Sequence, residues 1–326
     1  MTPSVQKIKR IANRSVSILN GIVGDKLNET ALGIDMNFYQ NDKIVSLDKH
    51  DLADRYAADG AKTSPKICLF IHGLVDDEQT WQFKDDNSYG LMMQRDFDYM
   101  PFYMRYNSGL HISQNGQKLA TLLEQLYENY PVALEDICII AHSMGGMVTH
   151  SACFYAQSEG CEWSKRVTNI ILLATPHLGS YLERFANLTT NILEKVPNWH
   201  TRLVGKVLNL RSSGIKDMRF GYLRDTDWQD EDPDSLLRNN KSPVPRMPDT
   251  VAYYIVSARL TKSEKHLVNR LFGDALVNTK SATARSKNAE EFNFPSENHI
   301  IFPETSHFGL TKSLAVYEQI KSWLTE

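Results

Sequence analysis

Only four cysteines occur in the 326 residues, Cys68, Cys138, Cys153 and Cys161, and no two of them form a CxxC pair. That excludes a zinc site built on Cys/His spacing, and because two of the four sit inside apolar runs, all four read as buried thiols. Runs of 18 or more apolar residues are lacking, so no helix is expected to span a bilayer. The first residues hold neither a continuous apolar stretch nor a small-residue cleavage site, which makes the cytosol the expected compartment. An excess of one charge sign is missing as well: 36 Lys and Arg stand against 39 Asp and Glu. With a formal charge of −3, there is no global basic field to collect nucleic acid by counterion release, and nucleic acid is not expected to bind. No internal repeat is evident. What is present, 42% hydrophobic and 23% charged residues, suits a globular chain with a sizeable core.

Short apolar runs punctuate the chain at residues 66–71 (KICLFI), 102–106 (FYMRY), 137–141 (ICIIA), 170–174 (IILLA) and 251–258 (VAYYIVSA). Such runs fit parallel strands buried on both faces. Between the second and third, Leu119, Leu122, Leu123, Leu126 and Tyr127 recur at the spacing of an amphipathic helix. Alternating strands and helices imply crossover connections and a mainly parallel sheet with helices on both faces. Residues 180–250 break this rhythm with helix-like stretches, an acidic run and four prolines between Pro233 and Pro248, and are expected to form a cap inserted into the sheet. The acidic run from Asp225 lacks the glycine of an EF-hand loop and reads as a solvated cap loop. Residues 1–60 open with Val5, Ile8, Ile11, Ala12, Leu19, Ile22 and Val23, largely at helical spacing. They are expected to form a helical extension packing on the core of residues 61–326. Lys7, Lys9, Arg10 and Arg14 lie among them, so peripheral contact with an anionic membrane is the competing use of that helix.

The chemistry-bearing stretch is Ile139-Ile140-Ala141-His142-Ser143-Met144-Gly145-Gly146-Met147, an apolar strand entering small residues and a helix. In a G-x-S-x-G turn the serine is strained and exposed to substrate, and the residues two before and two after it must be small so that strand and helix pass closely. Here they are Ala141 and Gly145. A serine at such a position also caps helices, but the apolar strand before it and a second loop upstream favour Ser143 as a nucleophile.

That second loop is Ile71-His72-Gly73-Leu74, directly after the first strong strand. A serine attacking an acyl carbonyl creates an oxyanion that needs two preorganised N–H donors, and the backbone amides of Leu74 and Met144 are assigned to it. Gly73 lets the backbone approach the substrate. In this arrangement the base follows the serine in chain order, which excludes His50, His72, His111 and His142. His307, in a loop before a helix-like end, is ahead of His299, which begins an apparent strand.

Taken together, HGL, AHSMGG, LATPHLGS (residues 173–180), GDALV (residues 273–277) and the late SHF resemble the α/β-hydrolase superfamily. They look most like its lipases, the TPHLGS piece being similar to bacterial triacylglycerol lipases and to glycosylphosphatidylinositol inositol deacylase-like proteins. The resemblance implies an α/β-hydrolase fold, with Asp274 as the acid that orients His307. Two departures are Ala141 for the first elbow glycine and Ala275 for the glycine after the acid. The implied activity is hydrolysis of a lipid or acyl-chain ester through an acyl-enzyme, without metal or cofactor. The same triad serves an acyltransferase or thioesterase, and a non-catalytic lipid- or partner-binding protein is the alternative from another class. His72, Gly73, His142 and His177 are the candidate substrate-binding residues.

Overall fold

The computed structural model describes residues 3–58, 63–83, 85, 87–177, 212–229, 250–259 and 296–325, with side chains from residue 12 onward except at 57, 58 and 296. Among the described residues, eight strands form one sheet: β1 (Asn37–Gln40), β2 (Lys43–Ile44), β3 (Lys66–Ile71), β4 (Met100–Arg105), β5 (Asp136–His142), β6 (Val167–Leu173), β7 (Ala252–Arg259) and β8 (His299–Pro303). Their order is β2-β1-β4-β3-β5-β6-β7-β8, and every neighbouring pair from β4 to β8 is parallel. The five apolar runs are β3 to β7, whose central residues are buried from both faces, whereas β8 is a half-buried edge strand.

Alternation along β3 divides the core. Ile67, Leu69 and Ile71 face one cluster, and Cys68 and Phe70 face the other. The first cluster is covered by α1 (Pro3–Leu27), α2 (Lys49–Ala58), α4 (Ile112–Asn129) and α5 (Met144–Glu159), through residues such as Ile22, Leu52, Leu119, Leu123 and Val148. The second is closed by α3 (Tyr89–Phe97) and α7 (Leu314–Thr325), with Met92, Met93, Tyr317 and Ile320. Of the thiols, Cys68, Cys138 and Cys153 are buried, whereas Cys161 is half-buried at a helix end.

The first sixty residues hold more than helices. Between α1 and α2, β1 and β2 form a hairpin that pairs antiparallel with β4. Its turn residues Asn41 and Asp42 both have positive φ, 50° and 60°, the twist that a two-residue hairpin needs and that Asn and Asp tolerate. Helix α1 kinks at Val23 and packs on the domain, burying Ile18 and Ile22.

Between β6 and β7, in the stretch expected to form a cap, residues 212–229 are described. They include α6 (Ser213–Phe220), begun by Ser212 accepting from the Ile215 amide, and a short turn at Asp225–Asp227. Of the acidic run expected to be a solvated loop, only the first residues are described, and Asp227 among them is buried instead, accepting from the amides of Leu223 and Arg224. Trp228 stacks on His111 at 3.7 Å, and Asp217 accepts from His111 Nδ1 and from the Ile112 amide. Phe220 and Tyr222 are buried and stack on each other.

Candidate active site

Strand β5 runs straight into Ser143, whose backbone sits at φ 54° and ψ −123° before α5 begins at Met144. For a residue with a Cβ this conformation costs on the order of 1–3 kcal/mol and persists only where the surroundings impose it. They do so here: the Ser143 amide donates to the Leu173 carbonyl at 2.8 Å, and the Ser143 carbonyl accepts from Gly146 at 3.0 Å. The small residues have a steric cause. A Cβ on Gly145 would lie 2.6 Å from the carbonyl oxygens of Ile71 and His72, and one on Gly146 would lie 2.0 Å from Thr175 Oγ1. Ala141 is fully buried between Ile71 and Leu172 on the flanking strands, so one methyl is accommodated on that side.

Gly73 is pressed against the serine: a Cβ there would stand 3.0 Å from Ser143 Cβ. Leu74 follows immediately and is buried. Met144 is the first residue of α5, and amides in the first turn of a helix have no intrahelical acceptor. His72 is buried under this loop, donating Nδ1–H to the Gly73 carbonyl at 2.8 Å and stacking on Tyr106 at 4.4 Å. Burial lowers its pKa, so the ring is neutral.

His307 opens a 3-10 turn after β8, begun by Ser306 Oγ accepting from the Gly309 amide at 3.1 Å. It is buried, and its carbonyl accepts a hydrogen bond from His142 Nε2 at 3.1 Å, the two rings lying 4.6 Å apart. His307 is thus brought to the residue that precedes Ser143. Burial, and next the neighbouring His307, hold His142 well below the ordinary histidine range. The rival His299 stands in β8 with Nε2 3.2 Å from Ser257 Oγ. Asp274 lies outside the described residues, as do Leu178, Gly179 and Ser180.

Residues 61–232, more than half of the chain, match the family described as "Putative serine esterase (DUF676)". The chain belongs to this serine esterase family. Among solved structures it is similar to the mature Bacillus licheniformis lipase BlEst2, at 19% identity and a TM-score of 0.50, covering 79% of this chain and 91% of that one. The propeptide form of the same lipase is 18% identical at a TM-score of 0.50, with 80% of this chain and 51% of that one covered. At these identities the likeness is one of fold, an α/β-hydrolase fold. No curated protein matches the chain in sequence.

His177 places its ring edge-on to His150 at 5.4 Å; burial lowers both, His150 to about 4. Sequence reasoning passed over one feature within the esterase-family segment, the acids Asp76, Asp77 and Glu78 that follow the HGLV loop. All three are buried. Glu78 pairs with Arg105 through two hydrogen bonds, one at 2.6 Å, and Asp76 lies 3.4 Å from Arg14 of α1. Asp77 accepts from the Gln79 amide, and burial, with Asp76 and Glu78 beside it, pushes its pKa up to about 7. The visible signal was three acids in a row directly after an apolar strand and its glycine loop. Among the described residues no group of three or more metal-ligating side chains is arranged to hold an ion, and no helix is long and apolar enough to cross a membrane.

Proposed function

We propose that the chain hydrolyses carboxylic esters of a lipid or other acyl-chain substrate, with Ser143 as nucleophile and His307 as general base and then general acid. Asp274 is the proposed acid that orients His307. The observation carrying this reading is the backbone of Ser143, held at positive φ between strand and helix with Gly73 against its Cβ. Attack by Ser143 Oγ on the ester carbonyl forms the Oγ–C bond as the proton passes to His307. The resulting oxyanion is held by the amides of Leu74 and Met144. Collapse expels the alcohol, which takes the proton from His307, and water then releases the acid by the same steps in reverse order.

Gly73 is the member of the proposed substrate-binding set that would lie along the acyl group. His72, His142 and His177, all buried, would shape the pocket from behind it. A neutral His72 and a neutral His142 leave the positive charge that develops during turnover to His307.

The test is hydrolysis of p-nitrophenyl esters from acetyl to palmitoyl by the wild type and Ser143→Ala side by side. Turnover that depends on Ser143, with a preference along the chain-length series, is expected. Turnover retained in pure, folded Ser143→Ala would remove Ser143 from the mechanism.

A further inference from the structure

Two parts of the chain carry no chemistry in the mechanism above, helix α1 and residues 105–109 (RYNSG), which begin at the end of β4, yet both grip the loop that bears Leu74. Tyr106 donates its hydroxyl to the His72 carbonyl at 2.9 Å. Ser108 Oγ accepts from the Val75 amide at 3.2 Å. Arg105 holds Glu78. Asn107 turns the other way, donating to the Gly24 carbonyl of α1 at 3.0 Å while accepting from the Gly109 amide at 3.0 Å.

Helix α1 closes the loop from outside. At Gly21 a Cβ would lie 2.8 Å from both N and Cα of Val75, so helix backbone rests on loop backbone. The Gly21 carbonyl is itself fixed by Ser212 Oγ at 2.8 Å. Arg14, two turns earlier, reaches Asp76. Between these contacts Val75 adopts φ 57°, a conformation that a β-branched residue keeps only when its surroundings enforce it.

Leu74 therefore stands between a glycine packed on Ser143 and a valine clamped by two other segments. We infer that α1 and residues 105–109 form a brace that positions the Leu74 amide, with Gly21, Tyr106 and Ser108 as positioning residues. The inference rests on the proposed ester hydrolysis. An amide aimed at an oxyanion acts only in the transition state, so a displaced Leu74 slows turnover while leaving ground-state binding nearly intact.

The experiment uses the full chain and compares wild type, Ser108→Ala, Ser108→Thr and Gly21→Ala. Steady-state kinetics on a p-nitrophenyl ester are read together with covalent labelling of Ser143 by a fluorophosphonate and with thermal melts. The expected result is a kcat lower by roughly tenfold or more in Ser108→Ala and Gly21→Ala, at a KM within about twofold of wild type. Ser108→Thr, which keeps the hydroxyl, restores most of the rate. Where Gly21→Ala yields no folded protein, the two Ser108 variants decide. Unchanged kcat in folded Ser108→Ala overturns the brace, and so does a loss matched by an equal loss of folded protein. A wild type without Ser143-dependent turnover sinks the hydrolase reading itself, a failure distinct from unchanged variants of an active enzyme.

Discussion

His142 donates its Nε2–H to the main-chain carbonyl of His307 at 3.1 Å, linking the residue before the elbow serine to the loop of the proposed base. Because a carbonyl can only accept, this bond puts the ring proton on Nε2, and the lowered pKa keeps the ring neutral. Replacing His142 with Phe retains bulk but leaves the His307 carbonyl without this donor. A buried acceptor stripped of its partner costs about 1–3 kcal/mol. His142→Phe is expected to melt earlier and to lose about tenfold in kcat, since ~1.4 kcal/mol in positioning His307 is a factor of ten. Wild-type kinetics in the variant would show that the bond does not position His307.

The Ser143 backbone conformation predicts a trade between stability and activity. Ser143→Gly removes the Cβ from a position at φ 54° and should stabilise the fold by about 1–3 kcal/mol while abolishing turnover. Ser143→Ala keeps the Cβ and should gain little. Urea unfolding of the two variants against wild type measures the difference, and equal midpoints would mean that the elbow is unstrained.

The elbow's two small positions are not equivalent. Gly145 has backbone oxygens of Ile71 and His72 in the place of a Cβ, whereas Ala141 already carries its methyl between two strands. Gly145→Ala should therefore cost about 1–3 kcal/mol by overpacking, with loss of fluorophosphonate labelling at Ser143. Ala141→Gly should leave labelling intact and cost about 1 kcal/mol in backbone entropy. Thermal melts and labelling of both variants check the contrast, and a tolerant Gly145 would contradict the packing described.

Asp77 should make stability depend on pH. Its pKa is about 7 in the fold against an ordinary 3.8, so between those values the folded chain holds a proton that the unfolded chain has released. Wild-type stability then falls as pH rises from about 4 to about 7, and the deficit persists above that range. Asp77→Asn keeps an oxygen for the Gln79 amide and removes the titration. At about pH 8 the variant should be more stable than wild type by at most about 4 kcal/mol, converging with it near pH 4. Parallel stability profiles for the two proteins would exclude Asp77 as the source.

Five of the six parallel strands were legible because strands covered on both faces read as apolar runs, as residues 66–71 and 137–141 do, while the half-buried edge strand β8 gave a weaker signal. The hairpin of β1 and β2 was not, since four and two residues are too few to show a period. Asn41-Asp42 was the clue available, as a dipeptide that accepts positive φ. In the proposed site, Ser143 and Gly73 stand out in the sequence through local sterics. The bond from His142 to His307 and the contact of Gly21 with Val75 join positions far apart in sequence, and no local pattern announces them. Asp274, drawn from family resemblance alone, lies outside the described residues.

The hairpin also finishes one side of the sheet. A parallel strand left at the margin would offer a row of unpaired amides and carbonyls to another chain, and proteins commonly blunt such margins with short strands and lysines. Here the outermost strand is β2, two residues long, and one of them is Lys43. Growth of the sheet by strand addition has almost no template on this flank, so the hairpin guards against edge-to-edge aggregation at a point remote from the serine.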